Sequence, residues 1–287
     1  MQMNSEKLLI VGCGDLGQRL ARELQNSNYT VIGLRRTPPA TDLPYLDYRR
    51  CNIDDHAAFA SILSEGYSVI VVTMTPSERS DDGYRRAYVD TCQTLVDNLH
   101  AQQHLPRLLL FVSSTGVYGE DDDSLIDEDT PTQPTGFSGQ RLLDAENIVR
   151  NSGFAHCIVR FSGIYGPGRN RLIQQVREGR ANLSNAFTNR IHADDCAGVL
   201  AHLLEQHRLG QTLAPVYIAS DCAPAPMREV VEWLAEQMKV SLTPPENTGT
   251  SERGNKRCSN QALLNTGYRF RYPDYRAGYS TLLAESS

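Results

Sequence analysis

Short apolar runs alternate along this chain with longer stretches of helical period. The runs are Leu8–Val11, Thr30–Leu34, Val69–Val72, Leu108–Val112, Cys157–Phe161 and Val216–Ala219, rich in β-branched residues and too short for helices. Between them the helical period marks about 15–26, 84–103, 137–151, 194–206, 227–239 and 260–266. Such alternation predicts an α/β fold with a doubly wound, parallel, Rossmann-type sheet, its strands buried on both faces. Ligands of such a sheet lie in the loops at the carboxyl ends of its strands. Towards the C-terminus the pattern loosens, with Pro224, Pro226, Pro244, Pro245 and Pro273 punctuating short segments. The reading is one compact unit, with residues 1–165 mainly the dinucleotide-binding core. Residues 166–287 add the remaining sheet strand and a small lobe built from discontinuous pieces.

The first run leads into Gly12-Cys13-Gly14-Asp15-Leu16-Gly17 and then into the helical QRLARELQ. Gly12 permits a tight turn, Gly14 lets a pyrophosphate approach the backbone, and Gly17 lets the helix pack close to the strand. The helix N-terminus then offers N–H groups and partial positive charge to phosphates. Where an NAD site places an acid for the ribose 2′-hydroxyl, about 20 residues further on, this chain has Arg35-Arg36. Two guanidinium groups suit a 2′-phosphate, so NADP(H) is expected in preference to NAD(H). Asn52, after the next apparent strand, is placed to touch the adenine.

Composition removes alternatives. No apolar run approaches the roughly 18–20 residues of a membrane span, and MQMNSEKLLIVG lacks the apolar region of a secretory signal. The seven cysteines include no C-x-x-C pair and their number is odd, which argues against a disulfide framework and for a reducing, cytoplasmic compartment. His100 and His104 stand at helical spacing without the acid of a zinc-hydrolase motif, so no metal is expected. With 28 basic against 34 acidic residues, the net charge of −6 makes nucleic acid an unsuitable main partner. The acidic stretch Glu120–Asp129 reads as a solvated loop.

Five further segments carry a resemblance: LLLFVSSTGVYG at 108–119, DEDTPTQP at 127–134, FSGQRLLDAE at 137–146, VRFSGIYGPGR at 159–169 and RIHADDCAGVL at 190–200. With the glycine loop, they resemble the extended short-chain dehydrogenase/reductase superfamily, the NAD-dependent epimerase/dehydratase class, over most of the chain. In that family a Ser or Thr, a Tyr, and a Lys four residues beyond the Tyr carry the chemistry. Ser114 matches the first. The Tyr-x-x-x-Lys position reads Phe137-Ser138-Gly139-Gln140-Arg141, so both phenol and lysine are missing. The chain therefore looks like an atypical member, as G-x-G-x-x-G in place of G-x-x-G-x-x-G also suggests. The resemblance sets Thr73, Ser113, Arg141 and Phe161 along the cofactor beside the glycine loop.

Phenylalanine has no proton to transfer, so the family's acid/base step does not carry over. Tyr118, Tyr165 and His192 are the candidate proton donors beside Ser114, each equally readable as a packed residue with one structural hydrogen bond. Asp194 and Asp195 read as caps of the following helix. Arg169, Arg171, Arg190, Lys256 and Arg257 flank the segments that border the family's substrate pocket; Arg169, Arg190 and Lys256 are the substrate-binding candidates, suited to a carboxylate or phosphate. The leading expectation is an NADP-dependent oxidoreductase or epimerase-like enzyme acting on a small polar or anionic molecule. The alternative is a non-catalytic NADP(H)-binding redox sensor or regulatory protein. Apolar stripes on 84–99 and 137–150 allow either a homodimer or packing on the sheet.

Overall fold

The structure, a computed structural model, describes residues 5–40, 43–242 and 254–285. Pro244 and Pro245 lie outside the described residues. The chain runs β1 (Glu6–Val11), α1 (Asp15–Glu23), β2 (Tyr29–Arg35), β3 (Asp47–Arg50), α2 (His56–Leu63), β4 (Val69–Val72) and α3 (Asp81–Tyr84). A π-helical stretch, Arg85–Asp90, leads into α4 (Thr91–Ala101), β5 (Leu108–Ser114), a 3₁₀ turn at Thr115–Val117, β6 (Ser124–Ile126), α5 (Phe137–Arg150) and β7 (His156–Phe161). Then follow β8 (Gly163–Tyr165), α6 (Arg171–Arg177), β9 (Phe187–Thr188), β10 (Arg190–His192), α7 (Ala193–Arg208) and β11 (Val216–Ala219). The last elements are β12 (Ala225–Pro226), α8 (Met227–Met238), β13 (Lys256–Cys258), α9 (Gln261–Asn265) and α10 (Tyr275–Glu285).

Seven strands form the parallel sheet in the order β3-β2-β1-β4-β5-β7-β11. All six apolar runs read from the sequence are among them, because strands covered on both faces need continuous apolar sequence: Leu8 to Val11 and Val69 to Val72 are wholly buried. The strand order reverses between β1 and β4, the topological switch point where such sheets bind ligands, and the glycine loop follows β1 there.

Two compact units divide the chain. The first comprises Met1–Val117, Thr132–Arg160 and Ala197–Tyr217; the second comprises Tyr118–Pro131, Phe161–Cys196 and Ile218–Ser287. The chain passes between the units five times. In the first unit, the stripes Cys92, Leu95, Val96 and Leu99 of α4 and Leu142, Ala145 and Val149 of α5 are buried within the chain. In the second, α6, α8 and α10 close around Tyr165, Ile173, Val176, Val230, Val231, Leu234, Tyr275 and Tyr279.

The helix expected over 84–103 is continuous over 81–101, α3 and α4 being joined through the π-helical stretch. One reading is corrected. The acidic segment is not merely a solvated loop: β6 pairs in parallel with β13, and Glu128 accepts a hydrogen bond from the Ile218 N–H at 2.7 Å. Local charge repulsion is overridden by these backbone bonds to residues far along the chain.

Candidate functional site

At the glycine loop of the first unit, Gly12 has φ of +80°, and a Cβ there would stand 2.9 Å from the Met74 Cα. A Cβ on Gly14 would meet only the Gly12 carbonyl, at 3.9 Å, so the space over Gly14 is open. One on Gly17 would press on Cys13 Sγ and Ile10 Cγ2 at 3.0 Å, which is the close helix–strand contact that the spacing implies. No side chain caps the N-terminus of α1; the Asp15 carboxylate accepts from Arg19 at 2.9 Å instead. Asp15 and Leu16 thus bring backbone amides to a helix end suited to an anion. The Thr73 hydroxyl donates to the Gly12 carbonyl at 3.0 Å, so it braces the loop. Cys13 is buried, which pushes its thiol up to about 12 and leaves it inert.

Arg35 closes β2 half-buried and Arg36 is exposed, with no ion pair at either among the described residues. Asn52 is exposed and donates to Asp54 at 3.3 Å. An open Gly14, an uncapped helix end and two arginines at the end of β2, about 20 residues along the chain, fit a dinucleotide phosphate.

Further across the sheet, β5 ends in two serines that face opposite ways. Ser113 is buried and donates to Glu146 at 2.7 Å; Glu146 is in turn bidentate with buried Arg160 at 2.9 and 2.6 Å. The Ser113 side chain is therefore committed to α5. Ser114 is half-buried, its Oγ accepting among the described residues only from the Gly116 N–H at 3.1 Å. A Cβ on Gly139 would lie 2.2 Å from the Gly116 carbonyl, so the first turn of α5 is pressed onto the turn that follows Ser114. Phe137 opens that helix 42% exposed, its ring edge-on to Tyr84 at 5.5 Å. Arg141 is bidentate with Asp81 at 2.8 and 2.9 Å and also reaches Asp144 at 3.1 Å. The guanidinium holds the Asp81 carboxyl below its ordinary range.

The three proposed proton donors all fall in the second unit, each buried and engaged. The Tyr118 hydroxyl donates to the Asp127 carbonyl at 2.9 Å. Tyr165 is 4% exposed within the apolar core, and burial raises its phenol; a Cβ on Gly278 would strike its hydroxyl, so α10 lies directly on it. His192 Nδ1 accepts from the Asp194 N–H at 3.2 Å, and its ring packs 3.9 Å from that of Tyr272. Phe161 is buried at the end of β7.

Asp195 is not a cap. It accepts from the Tyr268 hydroxyl and the Arg271 N–H at 2.8 Å and from the Tyr272 N–H at 2.9 Å, pinning the segment before α10. Among the substrate candidates, Arg190 is 7% exposed and bonds Thr188 Oγ1 at 2.6 Å, while Lys256 donates to the Tyr118 carbonyl at 2.8 Å and is lowered by burial. Asn189 links their strands, donating to the Lys256 carbonyl and accepting from the Cys258 N–H. Arg169 closes a turn with Gly166, whereas Arg171 is exposed and Arg257 pairs with Asp123. Sequence reasoning missed Asp221: it is 2% exposed, raised to about 7 by burial, with Oδ2 unpartnered among the described residues. Only its position after β11 hinted at it.

Sheet order, glycine loop, Ser114 and the altered 137–141 positions together define an atypical dinucleotide-fold member of the short-chain dehydrogenase/reductase kind. A family model described as the RmlD substrate binding domain matches residues 6–221, and the chain belongs to that family, within the epimerase-like short-chain dehydrogenases/reductases. It is 29% identical over 284 residues to Protein YeeZ of Escherichia coli (strain K12), covering 94% of this chain and 97% of that protein. A solved protein of Methylobacillus flagellatus, classed as an NAD-dependent epimerase/dehydratase, superposes with TM-score 0.84 at 35% identity over 98% of this chain and 99% of that one. MoeE5, solved with UDP-glucose and NAD, shares the fold at TM-score 0.78 and 24% identity, over 98% and 99% of the two chains.

Proposed function

We propose that the protein is a cytoplasmic NADP(H)-dependent oxidoreductase or epimerase-like enzyme on a small polar or anionic substrate. The observation that carries the cofactor reading is the pair Arg35 and Arg36 at the end of β2, without an ion pair among the described residues, together with the open space over Gly14. A bound nicotinamide dinucleotide supplies or takes the hydride. The α1 N-terminus holds the pyrophosphate, the two arginines the 2′-phosphate, and Ser114 orients the reacting oxygen. Membership of an epimerase-like family supports an enzyme. Cofactor binding falls to the first unit. In the second, buried Arg190 and Lys256 have no carboxylate within ion-pair distance among the described residues, which supports an anionic group on the substrate.

Titration with NADPH and NADH, followed by a screen of aldehydes, ketones and sugar derivatives for cofactor oxidation, tests this. Tighter binding of NADPH and turnover of one class are the expected results; equal affinities would overturn the cofactor choice. The second reading, an NADP(H)-binding protein without catalysis, is favoured by Phe137 and by Arg141's engagement with Asp81. Saturable NADPH binding with no turnover across the screen would select it.

A further inference from the structure

Two residues of α5 stand where the phenol and ammonium are expected, and both reach the same short helix. Phe137 meets the ring of Tyr84 edge-on, and Arg141 donates to both carboxylate oxygens of Asp81, from Nε and Nη2. Asp81 and Tyr84 are three residues apart, hence neighbours on one side of a helical turn. Ser80 fixes the start of that turn by accepting from the Gly83 N–H at 3.1 Å. A π-helical stretch begins at the next residue, a distortion that occurs often at functional sites. Since the first turn of α5 is also pressed onto the turn after Ser114, α3 and Ser114 are held against the same end of one helix. Phe137, large and exposed, contributes little to the core, so its contact with Tyr84 is the main role the structure gives it.

Tyr84 is half-buried, and its hydroxyl has no hydrogen-bond partner among the described residues. That sets it apart from Tyr118, Tyr165 and His192. Its neighbour Tyr88, with ring centroids 5.6 Å away, sits deeper against Phe111, where burial raises the phenol.

We propose that Tyr84 is the catalytic acid/base, its phenol having taken over from α3 the role that position 137 of α5 has lost, with Phe137 and Arg141 holding it in place. This rests on the oxidoreductase reading above. During carbonyl reduction, the electron pair of the C=O π bond moves to the substrate oxygen as that oxygen takes the proton from Tyr84 Oη. Water then returns a proton to the phenolate. Reduced nicotinamide dinucleotide is the reductant, giving two electrons and a hydrogen to the carbonyl carbon; oxidation reverses each transfer.

The test uses full-length protein labelled with 3-fluorotyrosine, with Tyr84→Phe and Tyr88→Phe identifying two of the 13 tyrosine resonances by their loss. On saturation with NADPH, and again on exchange for NADP⁺, the Tyr84 ¹⁹F resonance is expected to move further than that of Tyr88. In turnover, Tyr84→Phe should lower kcat roughly 10²-fold with the Kd for NADPH within about twofold of wild type. Adding Phe137→Tyr to that variant should restore at least about tenfold of the loss, the scale of a regained proton donor. A Tyr84 signal indifferent to saturating cofactor, or wild-type kcat in Tyr84→Phe, overturns the proposal while the cofactor reading stands. Absence of any saturable dinucleotide binding overturns the cofactor reading and the proposal together. Saturable binding without turnover across the screen selects the non-catalytic reading and overturns the proposal with the oxidoreductase reading, whatever the ¹⁹F shift.

Discussion

The two units treat their polar side chains differently. In the second unit the groups with chemical potential are tied to its own backbone: Tyr118 to Asp127, His192 to Asp194, and Asp195 to three donors. In the first, Arg35, Arg36 and Tyr84 have neither ion pair nor side-chain hydrogen bond among the described residues, and Ser114 has a single local contact. A buried polar group must find a partner within the protein, whereas a group awaiting a ligand is held near the surface without one. Residue type alone does not separate these cases. Tyr118 and Tyr84 carry the same phenol, and only the commitment of the hydroxyl distinguishes them. Substitutions in the second unit should therefore cost stability, and those at the uncommitted groups of the first should cost binding or rate.

Asp195→Ala carries the largest expected effect. It removes the carboxylate partner of two backbone N–H donors and leaves the Tyr268 hydroxyl only its longer bond, 3.2 Å, to the residue-195 carbonyl, a loss of roughly 2–4 kcal/mol measurable by urea denaturation. A loss under about 1 kcal/mol would break the comparison, because commitment would then carry no energetic weight.

Asp221 sharpens it as an exception within the second unit, with one oxygen unpartnered among the described residues. Burial raises its carboxyl from 3.8 to about 7, opposed by the Ala223 N–H and Arg190 and reinforced by Asp274 and Asp195. Between those two values the folded protein keeps a proton that the unfolded chain has released, so its contribution to stability declines as pH rises from about 4 to 7. The decline amounts to at most about 4 kcal/mol. Asp221→Asn cannot titrate, so its stability relative to wild type should grow across that window in denaturation curves taken at pH 4, 6 and 8. A constant difference would place the titration elsewhere.

How far each region can be read from sequence follows the same division. The sheet was legible because Leu8–Val11 and Val69–Val72 are buried on both faces and must be continuously apolar. Edge strand β3, Asp-Tyr-Arg-Arg, gave little signal since it is covered by few apolar neighbours. The glycine loop was legible because each glycine answers a local steric demand. Asp195 was misread because its partners lie more than seventy residues away, and Tyr84 was missed because its significance depends on contacts with Phe137 and Arg141. Contacts formed only on folding leave no local period or spacing to detect.

Arg35→Ala probes the first unit from the opposite side. With no ion pair to break among the described residues, the substitution should leave the urea midpoint within error. It should weaken NADPH binding by about 1.5–3 kcal/mol, roughly 10- to 150-fold, and NADH by less than about twofold, since only the 2′-phosphate contact is lost. Titrations with both cofactors measure the ratio. An equal loss for the two would move Arg35 from the 2′-phosphate to a part of the cofactor that both share.

Tyr118→Phe has the smallest expected effect and returns to the same phenol in the other unit. Its hydroxyl donates one hydrogen bond to a carbonyl in the segment before α5, and its ring, 3% exposed, would remain packed. Removing the oxygen should cost about 1 kcal/mol, because the Asp127 carbonyl loses one donor while the van der Waals contacts persist. Denaturation reports that loss directly. The discriminating measurement is kcat set beside it: a structural hydroxyl leaves kcat within about threefold of wild type, whereas a true acid lowers it by 10²-fold or more. If Tyr118→Phe gave the larger deficit and Tyr84→Phe the smaller, hydrogen-bond commitment would be the wrong criterion for function here, and the proton source would have to be sought among the buried groups of the second unit.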